Sequence, residues 1–516
     1  MKKIFSIISA ALILFSVTSC DLDREPVGQA QQAPFSSYKE IGFYYDGVYQ
    51  YLRSAENPSN YGLSDYLTNY YTSSDIDGGT WAPFFHWDKT RLLDNDMING
   101  YYAAYSVLTM QANYFIMRGE EALNNNLLEK KDEIDRLKKM VNEAKVMKAV
   151  SIYRLMLRYQ KGRYTKDNCN EPSSGVCLAK DYNPLAMLPR ATKKESYDYA
   201  LQLLDEALKG GLMKKSDFAG VPDRITDDYA HAMKARIYLQ MQDYGKAIEE
   251  CDTFINNYPL TSVSGNSAAD IQSMLDIYAG KTTENMVQLY ANTRVGTFGQ
   301  MPGWIGGSWV PSKQTVGEMF YRIYPLAFPS KETVDLMTSK QKDLRGKAWI
   351  RDIEVIAEGY PKTPLITKFT GNLAYETIPE RPTHRCPVNL CNIAEIYLIK
   401  AEAAAMEGDA SVAAETLSDL ALSRGFQLDS FSDSETVLEE VKKQRRIELI
   451  GEGMYLNDMQ RWNMPFESGT PNTNNQIVEV FNNQVKVSIP AGSPLFSWEF
   501  PRNDRQSNKN LKGNWD

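Results

Sequence analysis

The sequence predicts a mainly α-helical body of stacked helix pairs, with long aromatic-rich loops and minor β structure, on three observations. Apolar residues recur at helical rather than alternating spacing over long stretches. Two segments each read as a pair of helices joined by a short break. Residues 57–91 and 291–330 turn instead to Gly, Pro, Ser and aromatic residues, the composition of surface loops set on a rigid frame.

With 516 residues, 43% of them hydrophobic, the chain can bury a large core, and length alone would suggest about three domains. Its 57 basic and 65 acidic residues give a formal charge of -8, which offers no global attraction to nucleic acid or anionic lipid.

From the N-terminus, Lys2 and Lys3 precede an apolar run from Ile4 to Val17, too short to span a bilayer and suited to the h-region of a signal peptide. Val17-Thr18-Ser19-Cys20 resembles a bacterial lipobox, which makes residues 1–19 a signal peptide and Cys20 a lipidated N-terminus. The bland alternative is an ordinary thiol beyond a conventional cleavage site. Residues 20–34 read as a polar tether, and residues 35–516 as a single folded body.

Within that body, VNEAKVMKAVSIYRLMLRY (141–159) places Ala149, Ile152, Tyr153, Met156 and Tyr159 on one helical stripe, and Thr192 to Leu208 reads similarly. AHAMKARIYLQMQDYGKAIEECDTFINNYP (230–259) fits half of a tetratricopeptide template through Tyr238, Ala247 and Pro259, with Cys251 as a core residue of its second helix. A related pair spans residues 394–422, broken at Gly408. The predicted scaffold covers about 141–259 and 391–462; such pairs bury their apolar faces only by stacking.

Other residues carry weak or negative signals. Beyond Cys20, five cysteines remain, at 169, 177, 251, 386 and 391; Cys169 and Cys177 flank a turn-rich stretch and could form a local disulfide, and Cys386 with Cys391 is a weaker pair. No CxxC pair or Cys/His cluster predicts a zinc site, and no cofactor is implied. AGKTT (279–283) lacks the upstream glycine of a phosphate loop and reads as a turn. Asp75-Ile76-Asp77-Gly78 and Asp94-Asn95-Asp96 do not continue into a calcium loop and read as Asx turns. The three histidines show no ligand spacing, and His231 is expected to pack within the scaffold.

The segment RRIELIGEGMYLNDMQRW (445–462) interleaves Arg445, Arg446, Glu448, Glu452, Asp458 and Arg461 with apolar residues. Paired carboxylates flanked by arginines suit either an acid/base site or a buried structural network. Placing Glu448 and Glu452 i, i+4 on one helix, with Arg445 three residues before Glu448, predicts local ion pairs and a partly buried network that pins this region to the scaffold.

Taken as RRxELxxEGxxxxDxxRW, the same segment resembles the C-terminal signature of the SusD/RagB family of outer-membrane lipoproteins. EAKVMKAVSIYRLMLRY is similar to that family's EAR-x-LRA-type helix, and LFSWEFPRNDRQSNKNLKGNW resembles its ending. SDLALSRGF (418–426) departs from the family's Asn-x-x-Arg-x-Arg-Ala-Gly run, keeping only Arg424 and Gly425. The resemblance implies a surface-exposed, lipid-anchored protein of the outer membrane. Such a protein captures a nutrient and delivers it to a SusC-like TonB-dependent transporter, without catalysis.

The cargo implied by the residues themselves is a glycan. A sugar ring offers an apolar C–H face and polar edges, so its site needs exposed aromatic platforms beside hydrogen-bonding partners. WAPFFHW (81–87) supplies Trp81 and Trp87, MPGWIGGSWVP (301–311) supplies Trp304 and Trp309, and Tyr321 follows. These rings could equally plug the loops onto the scaffold. A peptide or other nutrient cargo would use the same loops. A glycoside hydrolase with Asp75 and Asp77 as paired carboxylates, or a docking scaffold that works through its helices alone, are the remaining classes.

Overall fold

A computed structural model describes residues 33–57, 60, 62–73, 82–292, 327–354, 362–369, 371–375, 387–470 and 486–515. The expected fold class is what it shows: long helices with a few two-stranded ribbons. The chain opens with α1 (Tyr38–Ala55), α2 (Asp96–Asn124), α3 (Lys131–Tyr159) and α4 (Lys193–Gly210). The first tetratricopeptide-like pair is α5 (Asp227–Met241) and α6 (Tyr244–Asp252), followed by α7 (Ala268–Tyr278). The second pair is α8 (Ile393–Glu407) and α9 (Ala410–Ser423), followed by α10 (Ser434–Glu448) and α11 (Tyr455–Arg461).

Local chemistry sets these boundaries. Thr192 and Glu195 form a reciprocal capping box at the start of α4, and Ser267 and Asp270 do the same for α7. Gly408 sits at φ +88, the left-handed conformation that ends α8 and lets α9 fold back on it.

The helices stack in series: α2 on α3, α3 on α4, α4 on α5, α6 on α8, and α8 on both α9 and α10. The central helix α3 is buried at every position from Met140 to Tyr159 except Lys145, so its polar residues carry bonds inward. Arg154 forks onto Glu56 at 3.0 and 2.6 Å, and Glu143 accepts from the hydroxyls of Tyr45 and Tyr49 on α1. Cys251 is fully buried as expected, its neighbour across the joint being the Ile396 carbonyl of α8.

Among the described residues, eight short strands pair antiparallel in four ribbons: β1 (Tyr71–Ser73) with β3 (Ala327–Pro329), β2 (Asn285–Leu289) with β6 (Val388–Asn392), β4 (Ile350–Glu354) with β5 (Lys362–Ile366), and β7 (Phe466–Glu467) with β8 (Ser488–Ile489). Strand β6 runs straight into α8 through the Asn392 cap.

Four expectations need correction or completion. Cys169, Cys177 and Cys391 are free thiols, so the 169–177 pair is unbridged. His231 is not packed in the core; its Nδ1 lies 2.6 Å from Glu250, which Lys234 also meets, because it occupies the outer side of α5. Ala279 and Gly280, with Gly280 at φ +75, form the turn expected of AGKTT. Asn95 caps α2, accepting from Met97 and Ile98, which fits the Asx-turn reading there.

Candidate ligand-binding region and its buried support

The signature segment folds as a helix, a turn and a helix. α10 ends at Glu448, and Gly451 (φ +80) and Gly453 (φ +69) then reverse the chain, so Glu452 leaves the helix. The predicted i, i+4 pairing is therefore corrected: no local Arg445–Glu448 pair forms, because the partners come from distant elements. Arg445 forks onto Asp458 at 3.0 Å through both contacts, and Asp458 and Glu402 of α8 share Arg461. Trp462 donates to Glu402 at 2.7 Å.

Glu448 belongs to a second cluster. Arg424 reaches it at 2.7 Å and grips Glu284, beside β2, at 3.0 and 2.9 Å; Arg345 reaches it at 2.9 Å and forks onto Asp343. Arg345, Arg424, Glu284 and Glu448 have no exposed side-chain surface, a deeper burial than expected. Burial alone would push the Glu448 carboxyl up, but Arg424 and Arg345 outweigh it and hold it down at about 2. Glu452 turns instead to Lys368, whose ammonium lies 2.6 Å from it and faces the rings of Tyr278, Trp349 and Phe369. Every carboxylate here is engaged by a cation and all but the partly exposed Glu452 are buried, the arrangement of a structural network.

That network supports the region where the aromatic loops begin. In the β1–β3 ribbon Tyr71 faces Pro329, Thr72 faces Phe328 and Ser73 faces Ala327. Ser330 N–H donates to the Tyr70 carbonyl at 2.9 Å, and its hydroxyl donates to the Asn69 carbonyl at 2.6 Å. The Lys331 N–H donates to the Thr470 carbonyl at 2.8 Å, and Gly469 lies so close that an added Cβ would stand 2.6 Å from Ser330 Cβ. Chain ends that flank residues 74–81, 293–326 and 471–485 thus meet in one hydrogen-bonded knot.

An aromatic bed underlies the knot. Tyr66 stands 5.8 Å from Tyr71 and 5.4 Å from Phe85, and Tyr70 stands 4.9 Å from Tyr455. Arg446 lies over Tyr70 and Tyr455, and the Tyr70 hydroxyl donates to the Arg446 carbonyl at 2.7 Å. Tyr71 Oη, His86 Nε2, Trp87 Nε1 and Asn69 Oδ1 are buried here without a hydrogen-bond partner among the described residues.

Of the residues singled out in the sequence, Trp81, Trp304, Trp309, Tyr321, Cys20, Asp75 and Asp77 lie outside the described residues, as do Cys386 and His384. Trp87 is placed, and its expectation as a ligand platform is corrected. It is 4% exposed, with its ring 5.0 Å from Phe466 and 5.3 Å from Phe496, so no face is open to a sugar. Tyr66, Tyr70 and Tyr71 were missed, although three closely spaced tyrosines before a loop were a readable signal. An open groove of about 860 Å³ also lies between α4 and the α5/α6 pair, lined by Tyr164, Tyr238, Tyr244, Asp198 and Lys246; no ribbon residue borders it.

Residues 283–514 match the SusD family model, a stretch holding the signature turn, both buried charge clusters and the second helix pair. Over that stretch the chain is SusD-like. Its fold is that of solved SusD-like structures. One is a SusD superfamily protein from Bacteroides thetaiotaomicron (20% identity, TM-score 0.70, covering 93% of this chain and 99% of that one). Another is a SusD superfamily protein from Bacteroides vulgatus (17%, 0.71, 93% and 99%). A third is a SusD-like carbohydrate binding protein from Bacteroides vulgatus (15%, 0.67, 92% and 98%). No curated protein matches the chain. No helix among the described residues is long and apolar enough to cross a membrane.

Proposed function

We propose that this SusD-like protein is a non-catalytic, cell-surface lipoprotein that captures a poly- or oligosaccharide and delivers it to a SusC-like TonB-dependent transporter. Cys20 carries the lipid that anchors it to the outer membrane. Ligand contacts come from Trp81, Trp304, Trp309 and Tyr321.

One observation carries the reading. The β1–β3 ribbon joins residues 71–73, within the first aromatic-rich stretch, to residues 327–329 at the end of the second, so two segments about 250 residues apart in sequence share one base. Aromatic platforms from both can then bear on one ligand, which a sugar chain with repeated apolar faces needs. The likeness to a carbohydrate binding protein of the same fold supports the cargo class.

Delivery is tested by co-expressing the mature protein with the TonB-dependent transporter encoded nearest to it and purifying through a tag on the transporter. Stable co-purification is expected. Recovery of the transporter alone would contradict delivery. Cargo class is tested separately by titrating the mature protein with oligosaccharides and with peptides; saturable heat from peptides alone would replace the glycan.

A further inference from the structure

Asp65 stands where the ribbon's bed meets the signature turn. It lies in the 3-10 turn Gly62–Leu67, six residues before β1, and is fully buried. Its Oδ2 accepts the Gly453 N–H at 3.2 Å, while its Oδ1 is buried with no partner among the described residues. Next to it the Ser64 hydroxyl donates to the Gly453 carbonyl at 3.1 Å. Residues 64 and 65 therefore grip Gly453 of the turn through both its N–H and its carbonyl.

The cations that face Asp65 are committed elsewhere. Arg158 of α3 donates to the Gly453 carbonyl and to Asn457 Oδ1, and Lys368 donates to the carbonyls of Glu448 and Ile450 and to Glu452. Tyr70 and Tyr71 follow it in the chain and feel its charge. Tyr455 and Asp458 stand on α11, which packs on the Gly62–Leu67 turn, and His86 follows the short helix Ala82–Phe85 that packs there too. None of these groups donates to Oδ1. An ionised Asp65 would thus be a buried charge with one bare oxygen, whereas the protonated carboxyl loses little by burial.

We infer that Asp65 is a positioning residue that holds the ribbon to the Gly451–Gly453 turn as a neutral acid, so that the ribbon's hold loosens as the medium turns from mildly acidic to mildly alkaline. That ligand capture follows the same trend rests on the reading that the ribbon carries the ligand loops. Burial pushes the carboxyl up to about 7, against the pull of the Gly453 N–H, Arg158, the Gly451 N–H and Lys368. The folded value lies above the ordinary one, so the contribution is fully present below the ordinary carboxylate range and is lost as pH rises through about 7.

Hydrogen exchange of residues 62–73 and 449–456, corrected for intrinsic rates, reads this directly at about pH 6 and about pH 8. The wild-type protein should lose roughly tenfold in protection across that range, the change in neutral fraction for one such group. Asp65→Asn, neutral and of the same shape, should be equally protected at both. Unchanged wild-type protection would overturn the inference, and so would an Asp65→Asn protein that keeps the drop; the wild-type comparison decides even should that variant not fold. Glycan affinity is measured alongside. If protection follows pH and the protein binds no glycan, the cargo reading fails while the role of Asp65 stands.

Discussion

Arg424 and Glu448 meet at 2.7 Å with neither side chain exposed, and the same guanidinium holds Glu284 across 140 residues of sequence. One planar fork thus ties the residue before β2 to α10, the helix that follows the second helix pair. Arg424→Ala leaves Glu284 buried without its cation and Glu448 with Arg345 alone, and we expect a loss of about 3–5 kcal/mol. Arg424→Lys should also lose stability, because a point charge cannot fork onto two carboxylates. Urea unfolding at constant slope measures both; a loss under about 1 kcal/mol for Arg424→Ala would contradict the network's importance.

The same cluster predicts an acid limb. Glu448 is held at about 2, below its ordinary value of 4.5, so its contribution is present above the ordinary value and is lost as pH falls through about 2. Glu448→Gln should be the less stable protein at neutral pH, with the gap narrowing as pH drops from about 5 towards 2. Melting temperatures across that range would show it; a constant gap would mean the carboxylate gains nothing from its arginines.

Trp87 is expected to act in folding rather than in binding. Trp87→Ala should cost about 3–5 kcal/mol, as for a large core ring, and Trp87→Phe less. Below its melting point the folded Trp87→Phe protein should bind ligand as the wild type does. A binding loss with unchanged stability would return Trp87 to the ligand site.

The thiols give a chemical check. Burial pushes Cys251 and Cys391 up, and pushes Cys177 up to about 11, so none should react readily at about pH 8 in the folded protein. In denaturant without reductant, the mature Cys386→Ser protein should titrate four thiols, those of Cys169, Cys177, Cys251 and Cys391. A count of two would reveal a 169–177 disulfide.

What could be read from the sequence was local. The stripe through Ala149, Ile152 and Tyr153, the helical run from Thr192 and the break at Gly408 are properties of a few neighbouring residues, and they fix helices and pairs. Partner choice was not local. Nothing near Arg424 points to Glu284, and Gly451 and Gly453 take Glu452 off the helix that its spacing suggested. The Trp87 ring failed as a site candidate for a similar reason. Composition shows that a loop is aromatic, but Phe466 and Phe496, which close over that ring, lie almost 400 residues further on.

The most direct measurement is affinity electrophoresis of the mature protein, from Asp21 onward, in gels each containing one polysaccharide, beside Trp81→Ala and Trp304→Ala variants. Retardation by one polysaccharide, lost in either variant, is the result this account predicts. Free migration on every polysaccharide, by a protein that melts cooperatively, would contradict it.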